Sequence, residues 1–288
     1  MTSNNEDEKQ KLVDPEKGND NNGNQDNKEK KEEVQVSQDD GKSFGHIFGR
    51  FIIAGLFECI GMFLFMCAIL LGAGPEATII SFWIIITMIS PFSGGHVNPA
   101  VTFACYVYDL KPIAGFPKLI MYILAQLGGG ALALMFCTEV RESSEIAMFK
   151  SEATSKEFLS EFFFTGTFIF VILYSCSKIT RVSDNRALNC VIIASWLYYA
   201  ATSAGKRSVG ALNPAVLTAF AVYNDHIDEN YWNAHKKDIW YMYYAHFASA
   251  LLFAIIFFLV EKMFPDPEKV DKGDKDEKVE EKIEVKSE

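Results

Sequence analysis

The most informative feature of the sequence is a set of long apolar stretches separated by short polar segments. A membrane-spanning helix needs about 20 mainly apolar residues. Six stretches of about this length are present, at 48–72, 77–92, 114–137, 157–178, 187–204 and 239–261. Two further apolar pieces, 97–107 and 212–223, are too short to span a bilayer. The pattern predicts an all-α membrane protein with six transmembrane helices and two re-entrant half-helices.

The two ends of the chain have the opposite composition. Residues 1–43 are almost entirely Asn, Asp, Glu, Lys, Gln and Gly, and residues 265–288 are mainly Lys, Glu and Asp. Segments with so little apolar surface cannot offset the chain entropy of folding. We therefore expect a disordered polar tail at 1–43, one membrane domain at 44–264, and a disordered charged tail at 265–288.

The membrane domain contains an internal repeat, with one copy at 44–137 and the other at 157–264. Glu58 lies in the first apolar stretch and Glu161 in the fourth, and each is followed by a Gly-rich turn. Each copy then reaches an Asn-Pro-Ala tripeptide, Asn98-Pro99-Ala100 in the first and Asn213-Pro214-Ala215 in the second. Three spanning helices per copy is an odd number, so the second copy enters the membrane from the opposite side. This inverted repeat points both half-helices inward.

The Asn-Pro-Ala tripeptides suit the start of a helix. Asn is a preferred N-cap, because its side-chain oxygen accepts hydrogen bonds from the first turn. Pro is favoured at the first helical position, and Ala is small enough to let two such ends touch. We expect each Asn NH2 group to be free to donate into a pore. Two helix N-termini, each equivalent to about half a positive charge, would oppose cations there.

Charge and cysteine content exclude several classes of protein. The net charge is -10 and basic clusters are few, so no nucleic-acid partner is expected. The six cysteines show no CxxC or metal-ligand spacing, so we expect no metal or cofactor. No nucleophile-base constellation is evident in the sequence either, so we expect no enzyme activity. The loop after the fourth stretch carries Lys178, Arg181 and Arg186, while the loop before that stretch is acidic. This asymmetry predicts a multi-pass protein of the plasma or an intracellular membrane, with both termini cytoplasmic.

Over residues 44–264 the sequence resembles the aquaporin (major intrinsic protein) family. The resemblance rests on the run Ser93-Gly94-Gly95-His96-Val97-Asn98-Pro99-Ala100-Val101-Thr102, on its counterpart around Asn213, and on the run Tyr122-Ile123-Leu124-Ala125-Gln126-Leu127-Gly128-Gly129. It implies a right-handed six-helix bundle with one pore per subunit, assembled as a homotetramer among membrane lipids. It also implies passive conduction of water or small uncharged solutes such as glycerol.

The sequence departs from this family at the pore constriction. In most members an Arg follows the second Asn-Pro-Ala, whereas this chain has Val216. The other constriction positions fall at Thr78, Ala201 and Gly210. None of these is aromatic, His or Arg, so we expect a wide, weakly polar constriction that favours larger solutes. Lys206 and Arg207 lie on the same loop, and either fold back to supply a charge or face solvent.

Three ionisable residues within the membrane domain invite a functional interpretation. The resemblance implies that Glu58 and Glu161 support the loop backbone through its N–H groups, rather than conduct protons. His96 is either a pH-sensing gate or a hydrogen-bonded tie of its own loop. Two functions remain as alternatives to a neutral-solute channel. One is a non-selective or ion-conducting channel of the same fold, and the other is a non-conducting membrane scaffold or adhesion protein.

Overall fold

A computed structural model describes residues 44–72, 74–140 and 154–264. The contacts below all lie within the compact unit that begins at Gly49. The two tails predicted at 1–43 and 265–288 lie outside the described residues, and so does the segment 141–153. The expected disorder of the tails therefore stays a prediction.

Eight helices make up the regular structure of the described residues. In chain order they are α1 Phe44–Leu70, α2 Pro75–Ser93, α3 Pro99–Tyr108, α4 Pro112–Val140, α5 Ser155–Cys176, α6 Arg186–Gly205, α7 Pro214–Ile227 and α8 Tyr231–Glu261. All except α3 and α7 contain a segment long and apolar enough to cross a membrane. The predicted all-α architecture, with six spanning helices and two half-helices, is confirmed.

The largest difference from the predicted boundaries is at α8, which begins eight residues earlier than its apolar stretch. The added turns are polar, with Asn233, Lys236 and Lys237. A prediction from hydropathy does not assign such polar residues to a spanning helix, although Lys has a good helix propensity. By contrast α5 starts close to its predicted position, because Thr154 and Glu157 form a capping box there.

The outer surface of the bundle is apolar. Met88, Leu124 and Met135 are 66%, 63% and 69% exposed, and each belongs to a spanning helix. Side chains of this kind on a soluble protein would form an aggregation-prone patch. On this protein they face the hydrocarbon of the bilayer.

Glycines allow the spanning helices to approach each other closely in both halves. A Cβ atom on Gly129 of α4 would lie 2.2 Å from the carbonyl oxygen of Cys59 in α1. A Cβ on Gly166 of α5 would lie 2.2 Å from the ring of Phe253 in α8. Small residues at helix crossings are the usual device of membrane bundles, because lipid supplies no hydrophobic force between helices.

The two half-helices share their neighbours. Both α3 and α7 pack against α4 and α8, and they contact each other. Pro99 and Pro214 occupy the first helical position of α3 and α7, where a missing N–H costs nothing. The bundle therefore brings the two N-termini together in its interior.

Candidate pore

Asn98 and Asn213 are the N-caps of the two half-helices. Asn98 Oδ1 accepts from the backbone N–H of Ala100 at 2.8 Å, and Asn213 Oδ1 accepts from that of Ala215 at 2.9 Å. Both asparagines have extended backbone dihedral angles, as N-caps do. Both are nearly buried, with 3% and 4% of their surface exposed.

Each asparagine amide also reaches the opposite loop. Asn98 Nδ2 donates to the carbonyl of Leu212 at 3.0 Å, and Asn213 Nδ2 donates to the carbonyl of Val97 at 2.8 Å. The expectation that the whole NH2 group is free is therefore wrong, because one of its two hydrogens is used in this exchange. The second hydrogen of each amide is the one left for a ligand.

The two loops carry the same unusual backbone. Val97 and Leu212, which directly precede the asparagines, have φ values of 47° and 50°. A bulky residue at positive φ costs on the order of 1–3 kcal/mol and persists only where its surroundings hold it. Both residues are fully buried, and the N–H group of each is bound to a carboxylate.

In the first half that carboxylate is Glu58. Its Oε1 accepts from the backbone N–H of His96 at 2.9 Å, and its Oε2 accepts from that of Val97 at 2.7 Å. Gln126 Nε2 donates to the same Oε2 at 2.8 Å. A glutamate of α1 and a glutamine of α4 thus hold the first loop, and all but His96 of these residues are fully buried.

In the second half the corresponding carboxylate is Glu161. Its Oε1 accepts from the Gly210 N–H at 2.6 Å and from the Ser208 hydroxyl at 2.7 Å. Its Oε2 accepts from the Leu212 N–H at 3.1 Å and contacts His246 Nε2 at 2.9 Å. The two glutamates occupy corresponding positions of the two repeats. Their side-chain partners differ, with a glutamine in the first half and a histidine in the second.

The hydrogen bonds of Thr102 determine the tautomer of His96. The Thr102 hydroxyl donates its one hydrogen to the Asn98 carbonyl at 3.0 Å. It can therefore only accept from Gln126 Nε2 at 3.0 Å and from His96 Nδ1 at 3.2 Å. In this arrangement His96 carries a hydrogen on Nδ1. This contact ties the imidazole to α3.

Two cavities are lined in part by the half-helices that these asparagines cap. One, here called the Val216 cavity, has a volume of about 460 Å³ and is lined by all four predicted constriction residues. Those residues are Thr78, Ala201, Gly210 and Val216. The other, here called the His96 cavity, has a volume of about 380 Å³ and is lined by Gly94, His96 and Val101, among others.

The cavities follow each other along the bundle. The Val216 cavity contacts α2 within residues 75–79 and α6 within 197–202. The His96 cavity contacts α2 within residues 82–90 and α6 within 186–193. Val216, three residues after Asn213, lines the Val216 cavity, and Val101, three residues after Asn98, lines the His96 cavity. Two chambers that follow each other along the same helices, each lined in part by one half-helix, are the arrangement of a transmembrane pore.

Comparison with known proteins agrees with this geometry. The family model described as Major intrinsic protein matches residues 77–257, which is more than half of the chain. The chain belongs to the major intrinsic protein family. The X-ray structure of the aquaglyceroporin from Plasmodium falciparum is similar, with a TM-score of 0.61 over 73% of this chain and 94% of that chain. At 16% identity this likeness supports the fold alone.

A separate comparison with curated protein sequences finds no match. As a major intrinsic protein, the chain is a membrane channel and not a member of an enzyme family. Its bundle crosses the membrane several times, as the six long apolar helices require.

Aromatic residues that were not predicted also line the Val216 cavity of this major intrinsic protein. They are Phe65, Tyr198 and Phe220. Two of them could have been found from the sequence, because Phe65 is seven residues after Glu58 and Phe220 is seven after Asn213. Residues seven apart lie on the same face of a helix. The four predicted constriction residues are not aromatic, but the wall of the Val216 cavity also contains these aromatic side chains.

Charged side chains are distributed unequally between the two chambers. Arg181, Asp184 and Arg186 line the His96 cavity. No Lys or Arg from the part of the chain that the structure describes lines the Val216 cavity. Lys206 and Arg207 are exposed to solvent and do not contribute to its wall.

Proposed function

We propose that this major intrinsic protein conducts water and small uncharged solutes such as glycerol, with a preference for solutes larger than water. The observation that carries the proposal is the Val216 cavity. It has a volume of about 460 Å³ and is lined by Val216 and Phe220 of the half-helix that Asn213 caps. Its described wall holds no cationic side chain where most of the family has an arginine.

In this proposal the asparagines bind the permeant molecule. The second hydrogen of each Nδ2, on Asn98 and on Asn213, donates to a water or hydroxyl oxygen. The N-termini of α3 and α7 each contribute about half a positive charge at the same point. This field opposes cations and protons, whereas neutral solutes pass without a chemical step.

The walls of the Val216 cavity suit a solute with a carbon backbone. Phe65, Val216 and Phe220 present apolar surface, on which the carbon atoms of a polyol can lie. The hydroxyl groups of the same polyol would then face the polar loop that contains Gly210. An arginine at position 216 would occupy this space and bind water more strongly than a carbon chain.

The experiment that tests the proposal compares the parent protein with Val216→Arg in proteoliposomes. Stopped-flow light scattering gives the fluxes of water, glycerol and urea at equal protein density. The long guanidinium side chain should lower glycerol flux at least about tenfold more than water flux, because each factor of ten needs only about 1.4 kcal/mol. Val182→Arg, at an exposed loop position, controls for the added charge.

Two results would contradict the open chamber. One is an unaltered glycerol-to-water ratio in Val216→Arg. The other is a rise in both fluxes when Lys206→Ala and Arg207→Ala are combined, since that would place these cations in the mouth. We expect the double variant to conduct like the parent, because both side chains are exposed away from the cavity.

A second candidate function is ion conduction, which the same lack of a cationic wall favours. Reversal-potential measurements on the parent separate the two candidates, because a neutral-solute channel gives no ionic current above background. A protein that conducts neither ions nor solutes would be a scaffold of the same fold. Water, glycerol and urea fluxes equal to those of empty liposomes would identify that case.

We also propose a homotetramer with both termini in the cytoplasm. The orientation is supported by Arg181 and Arg186, which line the His96 cavity, because cytoplasmic loops carry an excess of basic residues. Protease protection of a C-terminal tag in sealed vesicles tests the orientation. Native mass measurement of the detergent-solubilised protein tests the assembly.

A further inference from the structure

The two halves of the pore use different partners for the same carboxylate position. Gln126 of α4 and His246 of α8 lie on the third spanning helix of each repeat. Each contacts Oε2 of the glutamate that holds its loop, at 2.8 Å and 2.9 Å. Both side chains are fully buried. Glutamine is always neutral, whereas histidine can carry a proton on both ring nitrogens.

The hydrogen bonds of Glu161 favour its ionised form. Each carboxylate oxygen has two acceptor sites, and three donors and one histidine ring nitrogen surround the group. Oε1 faces the Gly210 N–H and the Ser208 hydroxyl, and Oε2 faces the Leu212 N–H and His246. The Ser208 hydroxyl is nearer to Glu161, at 2.7 Å, than to the carbonyl of Ala204, at 3.1 Å. The remaining acceptor site faces His246 Nε2, and the proton between them belongs on the ring because an imidazole is more basic than a carboxylate.

A buried carboxylate inside a membrane protein must be hydrogen-bonded, as Glu58 is by neutral donors, or paired with an opposite charge. Among the described residues, the ion-pair partner of Glu161 is His246, with both side chains fully buried. We propose that His246 is an imidazolium that neutralises Glu161, and that this neutralisation keeps the Val216 cavity, which lacks the arginine, from attracting cations. The proposal rests on the conducting pore described above.

The position of the pair explains why its net charge matters for the pore. Gly210 lines the Val216 cavity, and its N–H group is bonded to Glu161. The carboxylate therefore lies one peptide group behind the cavity wall. Without His246 as a cation, the chamber that lacks an arginine would also face an uncompensated negative charge, which would attract cations.

The other ring nitrogen of His246 does not decide its protonation state. Nδ1 has no hydrogen-bond partner in the described part of the chain. A neutral ring leaves a bare lone pair there, and an imidazolium leaves an N–H group. One polar atom is unsatisfied in both cases. The hydrogen bonds of Glu161, and not those of Nδ1, therefore distinguish a neutral His246 from an imidazolium.

The test uses the glutamine of the first half as a template. His246→Gln keeps an N–H donor toward Glu161 but removes the charge, while His246→Leu removes both. In His246→Gln we expect glycerol flux within about twofold of the parent and a cation leak raised about tenfold. His246→Leu should lose glycerol flux as well, because Glu161, which holds the second loop, loses a donor. Gln126→Leu is the matched control in the first half, and should impair flux without a comparable gain in cation leak.

A second readout does not depend on conduction. Nitrogen-15 spectra of histidine-labelled protein distinguish an imidazolium from a neutral ring, and His246→Gln assigns the signal. Should that variant fold poorly, a protein that retains only His246 assigns it instead. A neutral His246 signal, or an unchanged cation leak in His246→Gln, overturns the inference. A parent that conducts no glycerol contradicts the proposed function, but the spectrum still decides the state of His246.

Discussion

The two halves of the molecule reach the same geometry at the pore centre with different chemistry around it. In the first half, Thr102 joins the loop, His96 and Gln126 in a neutral hydrogen-bonded network. The residue at the same distance from the second asparagine is Leu217, which is buried and apolar. There the loop depends on Glu161 and a histidine instead.

This difference separates the residues that the pore geometry requires from the residues that can vary without changing it. Both halves keep an asparagine N-cap, a positive φ before it, and a glutamate on the loop N–H groups. The groups around the glutamates have diverged into a neutral set and a charged set. The shared parts fix the shape of the pore, and the differing parts set the electrical character of each chamber.

The largest effect is expected where the halves are the same. Asn98→Asp and Asn213→Asp should each lower solute flux by at least about tenfold, because a carboxylate would place an oxygen against the carbonyl of the opposite loop. An unsatisfied buried group of this kind costs roughly 1–3 kcal/mol or more when charged. Stopped-flow flux at equal density measures the loss.

Asn185→Asp is the matched control, since Asn185 caps α6 at an exposed position. An aspartate caps a helix as well as an asparagine does, so this variant should behave like the parent. Normal flux in either of the two central variants would show that the crossed hydrogen bonds are not needed.

The next effect should differ between the halves. Glu161→Gln removes one partner of a buried ion pair, which costs about 3–5 kcal/mol. Glu58→Gln removes the acceptor of neutral donors and should cost about 1–3 kcal/mol. Thermal unfolding in detergent should therefore place the midpoint of Glu161→Gln below that of Glu58→Gln. Equal midpoints would mean that the two carboxylates have equivalent surroundings.

Close packing offers a test of intermediate size. Gly129→Ala would drive a Cβ into the Cys59 backbone, which cannot move away, whereas Gly166→Ala would meet the ring of Phe253, which can rotate. Overpacking costs about 1–3 kcal/mol, and we expect Gly129→Ala to lie at the upper end. Gly128→Ala, with no atom within 4 Å of its Cβ, should be neutral. If Gly166→Ala lowered the stability more than Gly129→Ala, this explanation of the two close approaches would be wrong.

The smallest effect should follow from Thr102→Val. The variant keeps the shape of the side chain but leaves Gln126 and His96 with donors that lack this acceptor. A loss of about 1–2 kcal/mol in stability is expected, with flux reduced less than in the asparagine variants. Leu217→Val, which removes one methylene at the equivalent position, is the control. Equal stability of Thr102→Val and the parent would show that the neutral network is dispensable.

The sequence sufficed to predict the parts of the molecule that depend on local patterns. Apolar length identified the six spanning helices, because the bilayer makes length and hydropathy decisive. The Asn-Pro-Ala tripeptides identified α3 and α7, because capping chemistry is local. The start of α8 was missed because its first turns are polar.

The unpredicted parts of the site depend on contacts between distant residues. The crossed hydrogen bonds of Asn98 and Asn213 involve carbonyl groups of the other repeat, which no sequence pattern marks. Tyr198 reaches the Val216 cavity only through the packing of α6. The contact between His246 and Glu161 could not be predicted, because nothing in the helix of His246 shows that the two residues meet.

The crossed hydrogen bonds also constrain the order in which the protein can be built. They join residues 114 and 116 positions apart, so neither can form until the second repeat has been synthesised and inserted. Contacts of such long range form late, because loop closure must precede them. Until then the first loop keeps its strained Val97 conformation with only the support of its own half. A nascent chain that stops after α4 should therefore expose an unfinished centre, which quality control in the cell can recognise.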